Sequence, residues 1–167
     1  MFILRDATKD DCGTIIKLIK DLATYEKMPE GPKIDERVLQ RDGFGKHPFF
    51  HCVVAETSGE NKEEKEIIGY VFFYYTYSTW EGRAMYMEDI YVKPEYRSKG
   101  VGTALLKRVA KIGVESGCAR LDFAVFDWNN SAILFYKNRG AENISETEGW
   151  NHFRIRQTEL EKLSSES

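Results

Sequence analysis

Apolar and polar positions change period along the chain, and each change marks an element. Phe2 to Arg5 is a short apolar run. Thr8-Lys-Asp-Asp11 follows, a hydroxyl with a carboxylate three residues on, a pair able to satisfy the free N–H groups of a helix start. Cys12, Ile15, Ile16, Ile19, Leu22 and Ala23 then recur at helical spacing, so a helix with one buried face should run to Tyr25. Pro29, Gly31 and Pro32 break the chain, and Asp35 can cap a short helix carrying Val38 and Leu39. Residues 50–56 and 67–75 are rich in Val, Ile, Phe and Tyr and read as strands, with the charged link 57–66 as a solvated hairpin connection. Residues 84–92 alternate, with Met85, Met87 and Asp89 on one side and Tyr86, Glu88 and Ile90 on the other, which predicts a strand with a carboxylate on each face. A glycine turn comes next, and Val101, Ala104, Leu105, Val109 and Ile112 mark the helix after it. Residues 120–126 predict a further strand, 129–139 a helix closed by Gly140, and 150–155 a last strand. One domain over residues 1–160 is expected, with 161–167 as a frayed tail.

Composition narrows the partners more than the fold. A chain of 167 residues with 42% apolar and 31% charged positions fits one packed domain. Lys and Arg number 24 against 27 Asp and Glu, giving −3 with no long basic run, so no nucleic-acid partner is expected. An acidic balance with 13% aromatics leans toward a cationic small molecule. The apolar stretch 67–75 is too short for a bilayer, and MFILRDATKDD turns acidic before a signal-peptide core develops, so no membrane association and a cytoplasmic location are expected. Cys12, Cys52 and Cys118 have no paired spacing; they read as buried thiols, with neither a disulfide framework nor a metal site.

The candidate chemistry begins at Arg97-Ser-Lys-Gly-Val-Gly-Thr103. Gly100 and Gly102 stand where a strand hands over to a helix, where backbone N–H groups and the helix dipole can converge on a phosphate, with Arg97 and Lys99 adding charge. A dinucleotide fingerprint would need glycine where Leu105 stands, and no G-x-x-x-x-G-K-[ST] occurs. The remaining pattern, Arg97-x-x-Gly100-x-Gly102 after a strand bearing Glu88, resembles the acetyl-CoA pyrophosphate loop of the GNAT acetyltransferases. Tyr25-Glu26, Asp42-Gly-Phe-Gly45, His47-Pro-Phe-Phe-His-Cys52, Tyr86-Met-Glu-Asp-Ile-Tyr-Val92, Asp127-Trp-Asn129, Phe135-Tyr136, Arg139-Gly-Ala141 and Glu148-Gly-Trp150 extend the likeness over nearly the whole chain. Together they resemble the diamine acetyltransferase family, the spermidine/spermine N-acetyltransferases and their thialysine-acetylating relatives. Tyr77-Ser-Thr-Trp80, with Ser78 where polyamine-acetylating members carry aspartate, looks more like the thialysine branch.

The resemblance implies an α/β fold, a mixed and mostly antiparallel sheet flanked by helices, with the cofactor where neighbouring strands part, and a homodimer. It implies acetyl-CoA contacts at Ile90, Tyr91 and Val92 for the acetyl and pantetheine part, at Arg97, Ser98, Lys99, Gly100, Val101, Gly102 and Thr103 for the pyrophosphate, and at Asn129, Asn130, Ser131, Ala132 and Arg139 farther along. Acceptor contacts are implied at Tyr25, Glu26, Glu88 and Glu148. A lysine-like amine has a pKa of ~10.4, so a carboxylate that takes its proton is useful, and resemblance gives that role to Glu88. The departing CoA thiolate is helped by a proton donor, which resemblance places at Tyr136. The expected function is direct acetyl transfer to a primary amine of a small cationic acceptor, a thialysine or lysine analogue or a polyamine such as spermidine. A CoA-binding regulatory module without turnover and a protein-lysine acetyltransferase are the alternatives. The aromatic run Phe72, Phe73, Tyr74, Tyr75 and Tyr77 reads mostly as core, with Trp80 nearest a ligand.

Overall fold

The computed structural model describes residues 1–58 and 65–166. It divides into two compact units, Met1–Ala124 and Val125–Ser167. The first is built on a five-stranded sheet. Strands β1 (Phe2–Asp6), β2 (His51–Thr57), β3 (Ile67–Ser78) and β4 (Gly82–Val92) pair antiparallel in chain order. The two-residue β5 (Leu121–Asp122) lies parallel to β4 at Met85 and Tyr86. Parallel pairing needs a long crossover, and helix α3 (Val101–Glu115) supplies it. Helices α1 (Cys12–Tyr25) and α2 (Glu36–Gly43) complete the mixed sheet flanked by helices that was expected.

Strand alternation sends side chains to two cores. Cys52, Val54, Tyr70, Phe72 and Tyr91 pack with Ile15, Leu18 and Leu22 of α1 and Leu39 of α2. Val53, Val71, Phe73, Met85 and Met87 point the other way, to the face where α3 buries Val101, Leu105 and Val109. The predicted start of α1 forms as a 3-10 turn, Lys9–Asp11, and Asp11 accepts hydrogen bonds from the Thr8 N–H at 2.6 Å and hydroxyl at 2.9 Å. Asp35 caps α2 by accepting from Val38 N–H at 3.0 Å.

The strand expected at 120–126 pairs only over Leu121 and Asp122. The link 57–66 is closed by Thr57 N–H donating to Glu66 O at 2.9 Å, and positions 59–64 of the expected connection lie outside the described residues. Cys12 and Cys52 are buried as expected, whereas Cys118 is half-buried.

The second unit carries α4 (Asn130–Lys137), α5 (Ile144–Thr147) and α6 (Gln157–Ser165). Asn129 caps α4 by accepting from Ala132 N–H at 3.3 Å, and Gly140 beyond its end takes φ +85°. The strand expected over 150–155 does not form. A strand exists through its ladder, and among the described residues none pairs there, which leaves Trp150, Phe153 and Ile155 exposed. Helix α6 takes in the tail as far as Ser165, with Gln157 donating to Glu161 at 2.9 Å, one turn on.

Candidate active site

Strand β4 carries the expected residues Glu88, Ile90, Tyr91 and Val92, and one irregularity shapes it. Phe72 lies opposite Asp89 and Phe73 opposite Met87, so Glu88 is an extra residue, a β-bulge. The expected alternation therefore fails after Met87. The bulge turns Asp89 to the face of Phe72, α1 and α2, and Ile90 to the face of Val71 and α3. Glu88 stays exposed and accepts a hydrogen bond from the Tyr74 hydroxyl at 3.1 Å. Tyr74 stacks on Tyr86 with centroids 5.4 Å apart, and its pKa is pushed up to about 12, by burial first and the Glu88 charge next.

Past Tyr86, β4 has no partner on its β5 side among the described residues. The backbone edge running to Ile90, Tyr91 and Val92 is thus available to an extended ligand. It leads into the glycine turn. Ser98 takes φ +59° and Gly100 φ +85°, and α3 starts at Val101 with no side-chain cap and no acidic residue in its first turn. A Cβ at Gly100 would meet nothing within 4 Å. This arrangement fits a phosphate on the exposed first-turn N–H groups. Glu66 anchors the approach to the turn by pairing with the Lys93 ammonium and accepting from the Tyr96 hydroxyl at 2.9 Å. These contacts hold its carboxyl below the usual range.

Arg97, expected at the pyrophosphate, makes three contacts within the chain. Its Nε donates to Val92 O at 2.9 Å, and its guanidinium lies 5.0 Å from the Tyr25 ring centroid and 5.6 Å from that of Tyr91. The predicted acceptor residue Tyr25 and the predicted cofactor residues Tyr91 and Arg97 are thus brought together. Lys99 lies 5.4 Å from the Tyr96 ring centroid. Beside Tyr25, at the end of α1, burial raises the Glu26 carboxyl. Asp89 is raised further, to about 7, by burial first, then by Glu88 and Glu26.

In the second unit Asn129, Asn130, Ser131 and Ala132 form the capped start of α4, with the Ser131 hydroxyl donating to Asn129 at 3.1 Å. Tyr136 is 8% exposed with its ring edge-on to Phe135 at 5.1 Å. Arg139 lies 3.8 Å over the Phe135 ring and donates to the Phe135 carbonyl. Glu148 accepts the indole N–H of Trp150.

Phe72 and Phe73 are buried as expected and Trp80 is exposed, whereas Tyr75 and Tyr77, read as core, are exposed as well. Ser78 accepts from Trp80 and Glu81 N–H, both at 3.2 Å, which gives this serine a turn-closing task. A pocket of about 370 Å³ between Phe44, His51, Tyr75 and Arg108 contains none of the expected site residues. The inward turn of Asp89 is not legible in the sequence, because a bulge leaves no mark on an alternating pattern.

A strand that leaves its parallel neighbour runs on through a bulge and enters a glycine turn onto a helix with no side-chain cap. Residues 15–141 match the acetyltransferase (GNAT) family model, and the chain belongs to that family: it is an acetyltransferase of GNAT type. It is 45% identical to a thialysine N-epsilon-acetyltransferase of Bos taurus over 97% of this chain and 96% of that one. It is 38% identical to spermidine/spermine N(1)-acetyltransferase-like protein 1 of Homo sapiens, over 95% of this chain and 23% of that one. The fold is shared with an integron cassette protein from the mobile metagenome of V. cholerae, at a TM-score of 0.77 and 24% identity, covering 99% of this chain and 98% of that one.

Proposed function

We propose that this acetyltransferase moves an acetyl group from acetyl-CoA directly to a primary amine of a small cationic acceptor, of the thialysine or lysine-analogue kind before polyamines. The observation that carries the reading is the free edge of β4 running into the glycine turn and the uncapped α3. The extended pantetheine arm suits Ile90, Tyr91 and Val92, and the pyrophosphate suits the N–H groups at 98–103 with Lys99. Acetyl-CoA supplies an activated acyl thioester when bound.

On the acceptor side Tyr25, Glu26 and Glu88 suit an ammonium-bearing molecule with negative charge and an aromatic ring, and Glu148, in the second unit, is the further acceptor contact that the resemblance implies. The ammonium gives one proton to a carboxylate, expected at Glu88; the freed lone pair forms the C–N bond as the C–S bond breaks; the thiolate takes a proton, expected from Tyr136, and the nitrogen's second proton restores the Tyr136 hydroxyl. A cysteine relay finds no support, since Cys52 is buried and its thiol is held well above the usual range, first by desolvation. The reading includes a homodimer and a cytoplasmic setting. Ser78, engaged in the turn, offers no charge to a long polycation.

Comparison of kcat/KM on thialysine, lysine, spermidine, spermine and a lysine peptide at fixed acetyl-CoA tests the acceptor class. Thialysine should lead the polyamines, and preference for the peptide would overturn the proposal. Tyr136→Phe should lower kcat by about a hundredfold or more with little change in acetyl-CoA KM. Unchanged turnover would remove Tyr136 from the mechanism.

A further inference from the structure

Arg97 stands where the expected acceptor and cofactor contacts meet. Its backbone begins the glycine turn, with its N–H donating to Pro94 O at 3.2 Å. Its side chain reaches back, donating from Nε to the Val92 carbonyl at the end of β4 at 2.9 Å. The guanidinium then lies within cation–π reach of two rings, Tyr25 at 5.0 Å and Tyr91 at 5.6 Å. Tyr91 is buried on β4, whereas Tyr25 is 40% exposed at the last position of α1. The chain beyond Tyr25 has a fixed shape: Lys27 N–H donates to Thr24 O at 3.1 Å and Met28 N–H to Ala23 O at 2.8 Å, the paired bonds of a Schellman closure. Lys27 takes glycine's usual place in it at φ +61°. Among the described residues Lys27 and Ser98, at φ +59°, are the two non-glycine residues with positive φ. One follows Tyr25 by two positions and the other follows Arg97 directly, so the strained backbone gathers on both sides of this contact.

We infer that the Tyr25–Arg97–Tyr91 contact couples the two halves of the site, with Arg97 as a positioning residue through which acetyl-CoA and the acceptor amine each strengthen the binding of the other. The inference rests on the reading of the site above and adds a link between its parts. A pyrophosphate held on the N–H groups at 98–103 fixes the turn that begins at Arg97. Fixing the turn fixes the guanidinium against the Tyr25 ring, and with it the corner that presents Tyr25 and Glu26 to an ammonium. The second ligand then meets a corner already ordered and loses less entropy on binding. An amine seated at Tyr25 acts in reverse, and the two effects must be equal.

Calorimetry with thialysine and with CoA, which carries no acetyl group to transfer, tests the coupling. Thialysine should bind the wild type about two- to fivefold more tightly when CoA is saturating, and CoA should gain by the same factor when thialysine is saturating. The factor is a ratio within one variant, so a change in either affinity alone cancels from it. Tyr25→Phe keeps the ring and should keep the factor, whereas Tyr25→Leu should bring it to about one. Arg97→Lys keeps a positive charge beside the turn but loses the planar fork and Nε, so it too should bring the factor to about one. In 15N NMR of the free protein, the Arg97 Nε–H resonance should move strongly on Tyr25→Leu and little on Tyr25→Phe. Independent binding in the wild type, a factor retained in Tyr25→Leu or Arg97→Lys, or a factor lost in Tyr25→Phe would overturn the inference. A wild type that binds no CoA would instead overturn the acetyl-CoA reading of the site, and an Arg97 resonance unmoved by Tyr25→Leu would overturn the contact itself.

Discussion

At Gly100 the backbone takes φ +85°, and a Cβ would meet no atom within 4 Å. The demand there is on the dihedral, so alanine should bring strain of about 1–2 kcal/mol without a clash. Strain at this position tilts the first N–H groups of α3 away from an anion. Gly100→Ala should therefore weaken acetyl-CoA binding several-fold in calorimetry while the amine KM stays near its original value. Gly69 is a contrasting case. A Cβ there would lie 2.6 Å from the Tyr91 carbonyl oxygen across the β3–β4 ladder. Gly69→Ala should accordingly lower the melting temperature and disturb the β4 edge, so both substrates lose affinity. Glycine spacing marks the turn in the sequence, whereas the close strand approach at Gly69 depends on register and is silent there.

The same contrast holds for whole elements. Helices α1 and α3 are legible because one apolar stripe at helical spacing meets one core, and α2 because Asp35 caps it. Strand β4 is legible as a strand but its bulge is not, since Glu88 breaks the register after Met87 and reverses the faces of Asp89 and Ile90. Residues 150–155 carry strand-like side chains, but side chains do not reveal whether a partner strand is present. Long-range tethers are equally silent. Glu66, far from the turn in sequence, holds both Lys93 and Tyr96. Glu66→Gln should cost at most about 1 kcal/mol of stability, because the Lys93–Glu66 pair is partly exposed. Its larger effect should be a raised acetyl-CoA KM with an unchanged amine KM, measured in the same steady-state assay, as the turn loses its anchor.

For the whole molecule, the net charge of −3 includes carboxylates whose folded pKa values move in opposite directions. Arg5 bridges Asp11 and Glu56, joining β1 and β2 to the start of α1. Burial raises the Asp11 carboxyl, but hydrogen bonds from Arg5 and Thr8 outweigh it and leave its pKa lowered. A lowered folded pKa gives stability that is present above the unfolded value and lost as pH falls through the folded one. Asp89 has the opposite sign. Its folded pKa is raised to about 7, by burial first and then by Glu88 and Glu26, so the folded state keeps a proton that the unfolded chain has released. Stability must then decline as pH climbs from the unfolded value of ~4 through the folded one. Asp89→Asn removes the ionisation while keeping the shape, so it should raise the melting temperature of the free protein at pH 8, with the gain shrinking toward pH 5. The magnitude at pH 8 should be a few kcal/mol at most, since each tenfold change in proton affinity between the two states is worth ~1.4 kcal/mol. A melting-temperature difference that stays flat between pH 5 and pH 8 would show that Asp89 carries no such cost.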